Sequence, residues 1–225
     1  MLSSFLHAFF PEVCIVCNRL LYEKEKYICL HCLYALPRTA FLRQKENDLF
    51  IKLANRIPLE SAQALFLFNK NNDSQKLLHS IKYHPKPNHA NWFGHLMGQA
   101  WRESGRICPH VIVPVPLHNE RRKERGYNQS EELAKGFSSA IEAEVSPHAL
   151  LRTVYRTSQT QKGKTQRWKD AETIYQKNET VDLKGKSVLL IDDVITTGST
   201  IEACGLVLQE MGMKELHVYS LSMAV

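Results

Sequence analysis

The chain has 225 residues, 44% of them hydrophobic and 23% charged, a composition that suits one α/β domain with a small appendage, would cramp two large domains and lies far from the signature of disorder. Its 29 lysines and arginines against 23 acidic residues leave a net charge of +6, which favours anionic ligands without choosing between a phosphorylated small molecule and a nucleic acid. No window is long and apolar enough for a bilayer-crossing helix, so no membrane span is expected.

The first stretch, MLSSFLHAFFPEVC, lacks a basic leader, carries His7 in its middle and runs into Pro11, which makes it a poor signal peptide. A short amphipathic helix is expected there, with Leu2, Phe5, Leu6 and Phe9 turned onto the protein, and with it a cytoplasmic location. Cys14, Cys17, Cys29 and Cys32 follow in the spacing C-x2-C-x11-C-x2-C. Two such pairs, in a segment too short to build its own core, suit a tetrahedral four-thiolate Zn2+ site that is closed and therefore structural. Two disulfides would use the same residues, but nothing else points to secretion and a reducing cytoplasm disfavours them. Zinc in such a knuckle contributes about 10 kcal/mol, so losing one thiolate is expected to unfold the head and spare the rest. His31 is either a substitute ligand or a solvent-exposed side chain, while Cys108 and Cys204 are expected to be ordinary buried residues.

Composition changes near residue 58, dividing the chain into a head and polar connector over 1–58 and a domain over 59–225. A strand is predicted at 64–68 and a helix at 74–83, stopped by Pro85 and Pro87. A second helix, 90–103, places Phe93, Met97 and Trp101 on one face. The apolar, β-branched run 111–115 reads as a buried strand ending in a tight proline loop. Asn128 and Glu131 have the spacing of a capping box that opens a helix with Leu133, Phe137 and Ile141 as its buried stripe. Residues 152–180 are polar and carry no clear period. A continuous apolar run at 187–191, a hydroxyl-rich turn, a helix over 200–211 and a closing strand over 216–225 complete the pattern. Strands separated by helices imply a mostly parallel sheet with helices on both faces, an α/β fold.

The segment VLLIDDVITTGST, 188–200, carries the strongest chemistry. In open α/β sheets the ligand crevice lies beyond the carboxyl ends of the strands, and a helix N-terminus there offers unpaired N–H groups to a phosphate. Gly198 lets the backbone approach closely, and Thr196, Thr197, Ser199 and Thr200 add hydroxyl donors. Asp192 and Asp193 are adjacent, so on an ideal strand they point to opposite faces; both meet one ligand only if the chain turns there. Carboxylates repel phosphate, so the pair suits sugar hydroxyls, directly or through hydrated Mg2+, and should face an open crevice. No lysine follows the glycine, unlike a P-loop.

Arg121, Arg122, Lys123 and Arg125 follow the proline loop, where they would meet a pyrophosphate or a nucleic-acid backbone, with Glu120 and Glu124 as neighbours. Residues 152–169 hold six basic and no acidic residues, with Tyr155 and Trp168 interleaved: a hood over a ligand, a strip that stacks single-stranded DNA, or a disordered stretch.

The run 188–200 resembles at every position the signature by which type I phosphoribosyltransferases bind 5-phosphoribosyl-1-pyrophosphate (PRPP). That resemblance implies a type I phosphoribosyltransferase-like fold, with Asp192 and Asp193 at the ribose as the catalytic pair and Thr196, Thr197, Gly198, Ser199 and Thr200 at the 5-phosphate. The cysteine head, Ile81-Lys82-Tyr83, the PVPL…R…RGYNQ stretch, Arg156, Thr157, Gln161, Arg167 and Trp168, and the terminal loop, in this order, resemble the ComF family of competence proteins; Asp170 stands where that family often has Asn. The likeness implies a role in DNA uptake during natural transformation. It leaves two functions open: pentosyl transfer from PRPP with Mg2+ to an unidentified acceptor, or non-catalytic handling of single-stranded DNA for the uptake machinery, with the PRPP site as sensor or relic.

Overall fold

The computed structural model describes residues 12–44, 46–69, 73–83, 87–153 and 174–225. The expected helix over Leu2 to Phe9, Pro85 and the segment 154–169 with its five motif residues lie outside them. In chain order the elements are α1 (Leu30–Ala35), a 3-10 turn (Phe41–Arg43), α2 (Asp48–Ala54), β1 (Ser61–Phe68), α3 (Asp73–Tyr83) and α4 (Asn88–Glu103). They continue with β2 (Val111–Pro114), α5 (Asn119–Arg125), α6 (Gln129–Ile141), β3 (Glu144–Val145), β4 (Leu150–Arg152), β5 (Tyr175–Lys177), β6 (Ser187–Ile195), α7 (Ser199–Glu210) and β7 (Glu215–Ala224).

Five strands form one sheet in the order β1-β7-β6-β2-β3, every pairing parallel. Parallel strands are buried on both faces, which is why Val188 to Ile191 read as an unbroken apolar run. One face packs on α2 and α7 through Leu49, Leu53, Ile201, Cys204 and Leu208, the first core; the other packs on α3, α4 and α6 through Leu77, Ile81, Phe93, Met97, Leu133 and Phe137, the second core. Each such side chain contributes about 1.5–3 kcal/mol on leaving water. Helices cover both faces, as expected.

The expected face of α4 is buried, and α4 approaches α6 closely: a Cβ built on Gly136 would stand 1.8 Å from the carbonyl oxygen of Asn91, and one on Gly94 2.1 Å from that of Leu133. Only glycine admits so near a backbone.

Several expectations need correction. The first strand begins at Ser61 rather than 64, because Ser61, Ala62 and Gln63 pair with β7 despite their weak strand propensity. Residues 119–125, given no element from the sequence, are helical, opened by the His118 ring, which accepts from Glu120 N–H, and closed by Gly126 in the left-handed region at φ 81°. Asn128 does cap α6, but its side chain accepts from Ser130 N–H, and Glu131 turns to Arg122 and Lys135 instead of closing the box. Ile141 is half-buried. The aperiodic region contributes a two-stranded antiparallel sheet, β4 with β5, whose Leu150 and Tyr175 join the first core. Cys108 is exposed; Cys204 is buried as expected.

The head is bound into the molecule. Cys14, Val16, Ile28, Cys29 and Cys32 pack in one cluster with Phe66, Leu77 and Phe93. The connector is helical in α2, whose Leu49 and Leu53, followed by Ile57, sit in the first core with sheet residues. The Asn47 side chain caps α2 and donates to the carbonyl of Ala62.

Candidate functional site: the carboxylate pair, the hydroxyl loop and the cysteine cluster

The expected turn at Asp192 and Asp193 is absent; β6 runs on to Ile195. Its side-chain alternation slips there. Leu189 and Ile191 belong to the second core and Val188 and Leu190 to the first, yet Val194 packs with the second and Ile195 returns to the first. Strict alternation would reverse the last two. The slip lets consecutive residues of α6 reach both carboxylates. Asp192 Oδ1 accepts from the Ser130 hydroxyl at 3.0 Å and from the Asp193 N–H at 2.9 Å. Asp193 Oδ2 accepts from the Gln129 amide at 3.3 Å and pairs with the Lys82 ammonium at 3.2 Å.

Neither carboxylate faces an open crevice: Asp192 is 8% exposed and Asp193 4%. Their surroundings are nevertheless polar, at the carboxyl edge of the sheet and the start of α6. Burial, and after it the charge of Asp193, push the Asp192 carboxyl up to about 7, against the smaller opposing effects of the Asp193 N–H, Ser130 and Lys82. Gln129, itself 6% exposed, keeps its Oε1 buried without a partner among the described residues. That spare acceptor beside two carboxylates fits a ligand hydroxyl or the water shell of a hard cation.

Beyond Ile195 the chain does turn. Thr196, Thr197, Ser199 and Thr200 are exposed, and Gly198 is buried with φ 86°. A Cβ there would meet the Leu53 side chain at 2.7 Å, so α2 forms the wall that the loop turns against. Gly198 is the N-cap of α7 and supplies no side-chain cap; the Ser199 N–H donates to the Thr197 hydroxyl at 3.4 Å, and the N-terminal turn behind it offers the positive end of the helix to a ligand. The Thr197 and Ser199 hydroxyls lie 3.1 Å apart. Two cations from the connector reach the loop: Lys52 Nζ donates to the Thr196 carbonyl at 2.5 Å, and Arg56 pairs with Glu202 at 3.4 Å. Tyr175 of β5 reaches Thr200, and burial raises its hydroxyl well above the ordinary value. Carboxylates, then a loop of hydroxyls at a helix N-terminus, can hold a molecule with hydroxyls at one end and phosphate at the other.

The four basic residues are displayed on α5. Arg121, Arg122 and Lys123 are exposed, Arg122 pairing with Glu131 at 3.3 Å. Arg125 is half-buried, its guanidinium 5.4 Å from the centre of the Tyr83 ring. Lys82, Gln129, Ser130 and Lys52 were not singled out as site residues from the sequence. Lys82 and Gln129 had a sequence signal, through Ile81-Lys82-Tyr83 and the end of the RGYNQ stretch; Ser130 and Lys52 had none.

The sulfur atoms of Cys14, Cys17, Cys29 and Cys32 all lie within 4.8 Å of one another, and those of Cys17 and Cys29 are 3.8 Å apart. Tetrahedral Zn2+ with bonds of about 2.3 Å requires sulfur separations of about 3.8 Å, so the cluster fits a four-thiolate site that could hold a metal such as zinc. The thiols are free rather than disulfide-bonded. Cys14 Sγ accepts from the N–H groups of Val16 and Cys29 at 3.5 and 3.4 Å, and Cys29 Sγ from that of Cys32 at 3.3 Å. Burial alone would raise the Cys14 thiol; the N–H groups of Cys29, Cys17 and Val16 outweigh it and bring it to about 7. Glu25 braces the loop between the pairs, accepting from Arg19 and from the Tyr22 and Leu30 N–H groups. His31 is exposed and outside the cluster.

Residues 123–222 match the model of the phosphoribosyl transferase domain. The chain is 33% identical over 120 residues to competence protein F of Haemophilus influenzae, a match covering 52% of this chain and 51% of that protein. Competence protein ComFC of Bacillus subtilis is 25% identical over 202 residues, 89% of this chain and 79% of the relative. The DNA utilization protein YhgH of Escherichia coli is 28% identical over 149 residues, 64% of this chain and 65% of that protein. The match thus spans about half the length of the Haemophilus protein. No helix among the described residues is long and apolar enough to cross a membrane.

Proposed function

We propose, from the premise that this chain is a ComF-family protein with a phosphoribosyltransferase-type domain, that it binds PRPP with Mg2+ at the junction of β6 and α7. The observation that carries this reading is the placing of two carboxylates at the sheet edge directly before a helix N-terminus ringed by hydroxyls. Asp192 and Asp193 hold the ribose hydroxyls; Thr196 to Thr200, with the N-terminal turn of α7, hold the 5-phosphate. Mg2+, when bound, supplies charge neutralisation for the pyrophosphate. Opening the site requires Asp193 to exchange its Lys82 partner for the ligand, while Gln129 keeps its hold on the carboxylate. With an acceptor present, the reaction is pentosyl transfer, driven by stabilisation of the departing pyrophosphate rather than by a covalent nucleophile. The head, 1–58, acts as a structural zinc module attached to the binding domain, 59–225, and the protein works in the cytoplasm.

The test is a thermal-shift titration with PRPP and Mg2+. A rise in melting temperature that Asp192→Ala with Asp193→Ala abolishes supports the site; no rise in the wild type sinks it. Pyrophosphate release on addition of cell extract then identifies an enzyme.

A second reading, single-stranded DNA handling for the uptake machinery, is favoured by the exposed cations Arg121 and Lys123 on α5 and by the likeness to the DNA utilization protein of E. coli. Its mark is DNA affinity that falls steeply with salt and weakens when Arg121 and Arg122 become alanine. Salt-independent affinity, or none, removes it.

A further inference from the structure

The geometry points to Lys82 as a working member of the carboxylate site: its ammonium holds the place beside Asp193 that a divalent cation takes, so the two compete for that carboxylate. The inference rests on the reading of Asp192 and Asp193 as a ligand- and cation-binding pair. Among the described residues Lys82 is the one cation paired with either aspartate, at 3.2 Å from Asp193 Oδ2. The partners differ in freedom. The Asp193 side chain is 6% exposed and fixed at the sheet edge, whereas that of Lys82 is 24% exposed on a flexible stem.

The backbone beneath Lys82 is clamped. The Tyr127 hydroxyl donates to the Ile81 carbonyl at 2.5 Å, and the Arg125 guanidinium lies over the Tyr83 ring. The ammonium can therefore swing outward while α3 stays in place. The Gln129 amide already holds the same oxygen of Asp193, so the carboxylate stays oriented once the lysine has left. Lys82 thereby offsets part of the repulsion between two acidic groups that lie side by side under cover. When it leaves, that charge is free to face the anionic end of the ligand.

The competition is read directly with Mn2+ as the probe, from the paramagnetic resonance of the free ion during titration of the full chain without PRPP. Lys82→Met and Lys82→Gln, checked for native circular dichroism, are expected to bind Mn2+ about ten-fold more tightly than the wild type, the order expected for removing a unit charge a few ångströms away. In an Asp193→Asn background, Lys82→Met is expected to change nothing. Unchanged or weaker Mn2+ affinity in both single variants overturns the inference, and so does an absence of Mn2+ binding throughout. The PRPP reading is judged separately, by the thermal shift of the wild type with PRPP. If that shift is present while the Lys82 variants bind Mn2+ like the wild type, Lys82 is an ordinary ion-pair residue and the ribose site stands. If the shift is missing while Lys82→Met tightens Mn2+, the sugar assignment falls and the competition at Asp193 stands.

Discussion

Replacing Asp192 by asparagine should stabilise the protein while removing its ligand response. The folded carboxyl titrates at about 7 instead of at the ordinary carboxylate value, a difference of roughly three pH units, or about 4 kcal/mol at 1.36 kcal/mol per unit as an upper bound. Because the folded state holds the proton more tightly, this group's contribution is fully favourable below about pH 4 and is lost as pH rises toward 7 and beyond. Asparagine keeps an oxygen for the Ser130 hydroxyl and the Asp193 N–H, but its amide hydrogens need new partners, which takes back about 1–3 kcal/mol. The net expectation at pH 8 is a gain of about 1–3 kcal/mol, a rise of several degrees in melting temperature for a chain of this size. At pH 5 the advantage should shrink. The assay is urea unfolding of both proteins from pH 5 to 8, followed by PRPP and Mg2+ titration at pH 8. A variant less stable than the wild type at pH 8, or one with the same pH slope, refutes the account of a carboxylate held at a cost to folding.

Three further outcomes are expected. Metal analysis should find one Zn2+ per chain, and Cys29→Ser should lose it and destabilise the whole protein in urea unfolding by at least several kcal/mol, out of the about 10 kcal/mol a structural Zn2+ contributes; a loss confined to the head would contradict the shared packing of Cys29 with Phe66 and Leu77. Gly136→Ala should cost at least about 3 kcal/mol in urea unfolding, beyond ordinary overpacking, because the new methyl meets a backbone carbonyl that cannot rotate away. Lys52→Met should change stability by less than about 1 kcal/mol yet raise several-fold the PRPP concentration for half-maximal thermal shift, since it removes a cation beside the phosphate loop; an unchanged midpoint would make Lys52 a bystander.

Much of the parallel sheet was legible, because buried strands and amphipathic helices write their periods locally: the α4 face of Phe93, Met97 and Trp101, and the β6 run into α7, needed no distant information. What was not legible depends on residues far apart in the chain. Lys52 meets Thr196 across 144 positions. The spacing of Leu49, Leu53 and Ile57 after the Asn47 cap does signal that 48–54 is a packed helix rather than polar connector, but not that it forms a wall of the loop. β4 and β5, three residues each, are too short to show a period. Burial of the aspartates was misjudged because their cover comes from Lys82 and from Gln129 and Ser130, on two other elements. The slip in β6 shows only in where Val194 and Ile195 pack.

The near-contact between α4 and α6 reaches further than packing. Gln129 and Ser130, which hold the acids, begin the same rod whose eighth position is Gly136, pressed on Asn91. The height of that rod above the strand tips is therefore set one to two turns away from the chemistry. A wedge driven in at the glycine would tilt both hydrogen-bond donors off their targets together, and a screen for ligand-blind variants should recover bulky replacements there alongside changes at the aspartates.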